Sequence, residues 1–130
     1  MTNKELSQLY YLNREIEEER KRILSLREAA TATSAKISGL PHVGRIADKT
    51  SIAAEIADAA RAIEYKQQLA VVEYNRLTRF IAGVEDSLMR QILRFRYIDM
   101  FSWNEVAKRV GGNNTADSVR KLAERFVRRY

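Results

Sequence analysis

Cysteine is absent from the 130 residues. That excludes a disulfide scaffold, a cysteine zinc site and thiol catalysis, and it fits a reducing, cytoplasmic setting. Proline occurs once, histidine once and glycine five times. So few chain breakers leave little of the turn chemistry that a β-sheet requires. A lone histidine cannot complete a metal site without Cys or a second His, and no Ser-His-Asp pattern stands out. No apolar run approaches the ~20 residues of a membrane-spanning helix. The N-terminal stretch MTNKELSQLYYLNREIEEER carries charge from Lys4 onward and lacks the apolar stretch of a signal peptide. A Gly-rich phosphate loop, a metal-ligand cluster and a nucleophile–base pair are all missing. The sequence therefore predicts a non-enzyme with no catalytic residues, no cofactor and no metal.

What is there is charge and helical periodicity. Charged residues make up 31% and hydrophobic ones 45% of the chain, and the net charge is +6. Residues 1–84 hold 13 Lys+Arg against 11 Asp+Glu, whereas residues 85–130 hold 10 against 6, so the last third carries +4. Positive charge gathered at one end is the pattern of a part that meets a polyanion.

Residues 3 to about 36 read as one long helix, roughly 50 Å at 1.5 Å per residue. Leu9, Leu12, Ile16, Ile23, Leu26, Ala30 and Ile37 follow an a/d heptad pattern, which Glu19 and Thr33 interrupt. The run from Glu15 to Arg22 offers Glu17–Lys21 and Glu18–Arg22 as i,i+4 pairs, the mark of a solvated helix face. Residues 38–51, SGLPHVGRIADKTS, break the helix, and Pro41 and His42 read as a plain turn. Thr50 or Ser51 then caps a second long helix that runs to about residue 83. Ile56, Ile63, Ala70, Leu77 and Val84 recur every seven residues. Ile52, Ala59 and Phe80 fill d-like positions, while Lys66 and Glu73 spoil two others. The two stripes predict an antiparallel helical hairpin. Tyr65, Leu69 and Val72 form another stripe at i, i+4, i+7 on a different face, which predicts homodimerisation there.

From Glu85 the texture changes to short helices. Leu88, Met89, Ile92, Leu93 and Phe95 give an apolar face over 85–99. Ser102-Trp103-Asn104-Glu105 fits the S-x-x-E capping box and starts a helix over about 103–110, with Val106, Ala107 and Val110 inward. Gly111-Gly112 stops it. Thr115 or Asn114 caps a last helix, with Asp117 in its first turn and Val119, Leu122, Ala123 and Phe126 as its buried stripe. This order predicts a helix-turn-helix. Its recognition helix would carry Asn113, Asn114, Thr115, Asp117, Ser118 and Arg120 toward base edges, with Lys121, Arg125 and Arg128 on phosphates. The bland alternative is a three-helix knot for protein contacts whose charges only solubilise it.

The stretch ILRFRYIDMFSWNEVAKRVGG at 92–112 resembles the helix-turn-helix of the C-terminal domain of bacterial sigma factors. The longer layout is similar to the small phage transcriptional regulators of the ArpU and RinA types, through SGLPHVGRIADK at 38–49 and GGNNTADSVRKLAERF at 111–126. From Gly111 to Val119 the turn is about two residues longer than the usual sigma-type turn, so the family's contacts carry over to Ser118, Arg120 and Lys121 on the helix itself. The resemblance implies control of late phage or prophage genes, with double-stranded DNA as partner and RNA polymerase as a candidate second one. Sigma-like helix-turn-helices also occur in phage terminase small subunits. The expectation is thus an all-α protein with a hairpin arm over 1–84 and a DNA-binding domain over 85–130. A terminase small subunit and a coiled-coil adaptor that binds no DNA are the alternatives.

Overall fold

The structure, a computed structural model, describes residues 1–35 and 43–129, with side chains described for all of these except 33–35 and 43–48. Among the described residues the chain is all-α, with six α-helices and no strand. The helices are α1 (Asn3–Leu6), α2 (Gln8–Ala35), α3 (Val43–Ala82), α4 (Ser87–Leu93), α5 (Trp103–Val110) and α6 (Ala116–Arg128). No described helix is long and apolar enough to cross a membrane.

Three details differ from the sequence expectation. The first long helix is interrupted at Ser7, which leaves Asn3–Leu6 as a separate turn that Thr2 and Glu5 start with a capping box. The second long helix begins at Val43, seven residues before the expected cap at Thr50. Nothing in VGRIADK forbids helix, so the chain needs no cap at Thr50 to start one. Pro41 and His42, like Ile37, lie outside the described residues. The third difference is on the acidic run of α2. Arg20 pairs with Glu17 at 2.7 Å and Lys21 with Glu18 at 3.5 Å, so the i,i+3 partners are used instead of the i,i+4 ones. All four side chains are more than half exposed, and such pairs contribute little.

Contacts divide the chain into two compact units, with the cuts falling inside α2 and α3. One consists of Asn13–Gln68. Its Ile16 and Ala59 are buried, and Lys66 lies 3.3 Å from Glu15 and 3.8 Å from Glu19. The other consists of Met1–Leu12 with Leu69–Tyr130. It holds two apolar clusters. The first joins Leu6 and Leu9 to Leu77, Ile81 and Val84, and to Met89, Leu93 and Tyr97. The Tyr97 hydroxyl donates to Asn3 Oδ1 at 2.9 Å, and burial pushes its pKa up. Arg76 ties the same two ends of chain, donating to the Glu5 carbonyl at 2.9 Å while it pairs with Glu73 at 2.6 Å.

The second cluster, of Ile92, Val106, Ala107, Val119 and Ala123, is the core of the short helices. The helix expected over 85–99 runs without a break from Ser87 to Ile98, but it is not α-helical throughout. Asp86 caps α4 by accepting from the Leu88 N–H at 3.1 Å, and Arg94–Ile98 then widens into a π-helical turn. The Asp99 N–H reaches back five residues to the Arg94 carbonyl, and the Phe101 N–H six residues to Phe95. Met100 takes a left-handed φ of 62°, a conformation that costs energy for residues other than glycine. Arg96 holds this reversal by donating to the Phe101 carbonyl at 3.0 Å.

Candidate nucleic-acid interface

Helix α5 starts where expected. Ser102 Oγ accepts from the Glu105 N–H at 3.3 Å, and Arg96 lies over the Trp103 ring at 4.6 Å. Inside it, Val106 is fully buried and Ala107 almost so. The alanine's small side chain lets the next helix cross closely. Helix α5 ends because Gly111 takes φ 71°, ψ −159°, a region open essentially to glycine alone. Gly112 is also left-handed, at φ 67°. Asn114 then braces the turn by donating from Nδ2 to the Gly111 carbonyl at 2.9 Å. Asn113 is exposed.

Thr115 is the cap of α6, and the cap is reciprocal. Thr115 Oγ1 accepts from the Ser118 N–H at 3.1 Å, while Ser118 Oγ accepts from the Thr115 N–H at 2.8 Å and donates to its carbonyl at 3.0 Å. The capping box thus uses Ser where Glu is usual. Val119 and Ala123 are buried against α5, with Leu122 and Phe126 half-buried beside them. The Phe126 ring meets Phe80 at 6.3 Å.

The outward side of α6 divides into two halves. Asp117 accepts from Arg120 at 2.6 Å and pairs with Lys121 at 2.9 Å, and Arg120 also reaches Glu124 at 3.1 Å. The hydrogen bonds from Lys121 and Arg120 hold the Asp117 carboxyl below the usual carboxylate range, and Asp117 and Glu124 push the Arg120 pKa up. Arg125, Arg128 and Arg129, further along, are exposed, and no carboxylate among the described residues pairs with them. Arg109 on α5 lies over the Phe101 ring at 4.0 Å, and Lys108 is exposed.

The structure therefore gathers Asn113, Asn114, Thr115, Asp117, Ser118, Arg120, Lys121, Arg125 and Arg128 on one turn and one helix. It gives them unequal freedom. Ser118 and Thr115 serve the cap, Asn114 serves the turn, and Arg120 and Lys121 serve an ion-pair network. Glu124 is the member that the sequence reading left without a role. Its spacing from Arg120 was the available signal.

A cleft of about 430 Å³ opens nearby, walled by Tyr10, Tyr11, Tyr97 and Trp103. Several of its polar groups are engaged: Tyr97 with Asn3, Arg96 with the Phe101 carbonyl and the Trp103 ring, and Glu124 with Arg120. Tyr65 and Val72 on α3 are 62% and 63% exposed, and Leu69 is 37% exposed. No protein-family model, curated protein or solved structure matches the chain.

Proposed function

We propose that the protein binds double-stranded DNA sequence-specifically and regulates transcription of phage or prophage genes. In this reading α5, the 111–115 turn and α6 are a helix-turn-helix, and α6 is its recognition helix. The observation that carries the reading is the form of α6: a capped helix fixed by Val119 and Ala123 to Val106 and Ala107, with an outer side that ends in Arg125, Arg128 and Arg129. A rigid pair of this kind can place the start of α6 against base edges while the arginines meet phosphates. Helices α2 and α3 act as an antiparallel hairpin arm, in which Lys66 is matched to Glu15 and Glu19. The exposed stripe of Tyr65, Leu69 and Val72 pairs two copies, so that two recognition helices address a two-fold site. RNA polymerase is a second partner on this reading, and the setting is the cytoplasm of a bacterium.

The test is a genome-wide map of bound DNA in cells that carry the gene. Peaks upstream of late operons are expected. A single packaging site would make the protein a terminase small subunit, and a map without peaks would leave only an adaptor role.

A further inference from the structure

We propose that Asp117, with Glu124, restrains Arg120 and Lys121 and so suppresses indiscriminate DNA binding. This inference rests on the DNA-binding reading above. In the free protein these four side chains form one network: 2.6 Å from Arg120 to Asp117, 2.9 Å from Lys121 to Asp117 and 3.1 Å from Arg120 to Glu124. Two cations and two anions cancel. The sequence from Thr115 onward holds five basic and two acidic residues. Once the network is set aside, the excess of three sits on Arg125, Arg128 and Arg129. The half of α6 that approaches bases is thus neutral, and the half that approaches phosphates is cationic.

This division has a consequence for selectivity. Phosphates are the same on every sequence, so a cation free to meet them raises affinity for all DNA alike. Arg120 and Lys121 must leave Asp117 before either can contact DNA. A phosphate gives in return about what the carboxylate already gave. A correctly placed base edge offers in addition a bidentate match for the Arg120 fork. The network therefore weights α6 toward the right sequence. The lowered Asp117 pKa agrees with this, since the carboxyl stays ionised across the physiological range.

The experiment compares wild type with Asp117→Asn and Glu124→Gln. Glu85→Gln, an exposed carboxylate outside the network, controls for the change in net charge. Two duplexes are titrated over a salt series: a mixed random-sequence duplex, and the best-bound sequence that wild type recovers by repeated selection from a random library. Circular dichroism checks that each variant keeps its helix, and Glu124→Gln leaves the first turn of α6 untouched. The expected result is random-duplex binding about tenfold tighter for Asp117→Asn and several-fold tighter for Glu124→Gln, with a smaller gain on the selected duplex. The salt slope on random DNA should steepen for Asp117→Asn by about 0.9, since Lys121 loses its one carboxylate partner while Arg120 keeps Glu124. Slopes and affinity ratios equal to those of Glu85→Gln overturn the restraint while leaving the DNA reading intact. Wild type and variants that all fail to bind either duplex at low salt overturn the DNA reading itself.

Discussion

Lys66 of α3 reaches Glu19 of α2, Nζ to Oε1 at 3.8 Å. Each residue interrupts the apolar register of its own helix, and the two interruptions meet. Lys66 also lies 3.3 Å from Glu15 Oε2. The Lys66 and Glu19 side chains are only 24% and 20% exposed, and Glu19 Oε2 has no hydrogen-bond partner among the described residues. Glu15 lies one turn from Glu19 on the same face of α2, so two carboxylates meet one ammonium where both apolar stripes are interrupted, and these half-buried charges carry some cost in stability.

Removing one partner and removing both should therefore act in opposite directions. Lys66→Ala leaves Glu19 without compensation and is expected to cost about 1–3 kcal/mol. Glu19→Leu with Lys66→Leu is expected to be neutral or stabilising by about 1–2 kcal/mol. Urea denaturation followed by circular dichroism measures both. A double variant less stable than Lys66→Ala alone would mean that the pair is a net source of stability.

Gly111 tests the turn. A Cβ built there meets no atom within 4 Å, so space is available. The backbone is the obstacle, with φ 71° and ψ −159°. Gly111→Ala is expected to destabilise by about 1–3 kcal/mol although it touches nothing. Trp103, the single tryptophan, lies in the adjacent helix and reports the melt by fluorescence. An unchanged melt would mean that the turn relaxes to another geometry.

Much of this architecture was legible in the sequence, and the misses share a cause. Ser102, Gly111 and Thr115 act through bonds to residues within four positions, and short-range patterns reveal such bonds. The buried stripe of Val119 and Ala123 follows from helical period alone. The π-helical turn at Arg94–Ile98 and the left-handed Met100 left no such mark. They arise because α4 and α5 must pack on one core, and Arg96 holds the bend through the Phe101 carbonyl. The sequence points Ser118 and Arg120 outward because it shows which face a residue occupies. It does not show whether a neighbour already holds the side chain.

Ser118 should accordingly matter for stability. Its hydroxyl makes two bonds to the Thr115 backbone, at 2.8 and 3.0 Å. Ser118→Ala and Thr115→Ala are each expected to lower stability by about 0.5–2 kcal/mol. Arg128→Ala should leave the melting temperature unchanged, weaken selected and random duplexes alike, and reduce the salt slope by about 0.9. Thermal melts paired with titrations on the two duplexes separate these effects. A Ser118→Ala protein that melts like wild type would remove the cap from the account of α6.

The Asp117 network also predicts a pH dependence. Hydrogen bonds from Lys121 and Arg120 lower this carboxyl's pKa in the folded protein. A group depressed in this way contributes stability that is present above its unfolded pKa and lost as pH falls through the folded value. The loss is therefore expected on the acid side of the ordinary carboxylate range, with no change near neutrality. In an NMR titration the Asp117 carboxyl should have a midpoint below that of an ordinary aspartate, and Lys121→Ala should raise it. A midpoint that ignores Lys121→Ala would show that the pair does not persist in solution.

Tyr65, Leu69 and Val72 bear on assembly. They follow one another at i, i+4, i+7 along α3, on a face separate from Leu77 and Ala59, which are buried. Packing of the stripe on its own chain was one way to cover it, and the 62% and 63% exposure of Tyr65 and Val72 argues against that. Large apolar side chains buried on association contribute roughly 1.5–3 kcal/mol each, so a surface that keeps three of them adjacent favours a second copy. Leu69→Glu with Val72→Glu should then convert a dimer into a folded monomer, because neither position belongs to the core. DNA binding should weaken with it, since the two half-sites are no longer addressed together. Analytical ultracentrifugation of wild type and variant, each with a circular dichroism melt, measures both outcomes. A wild type that sediments as a monomer at micromolar concentration would sink the dimer, and the exposed stripe would then have to meet a different protein.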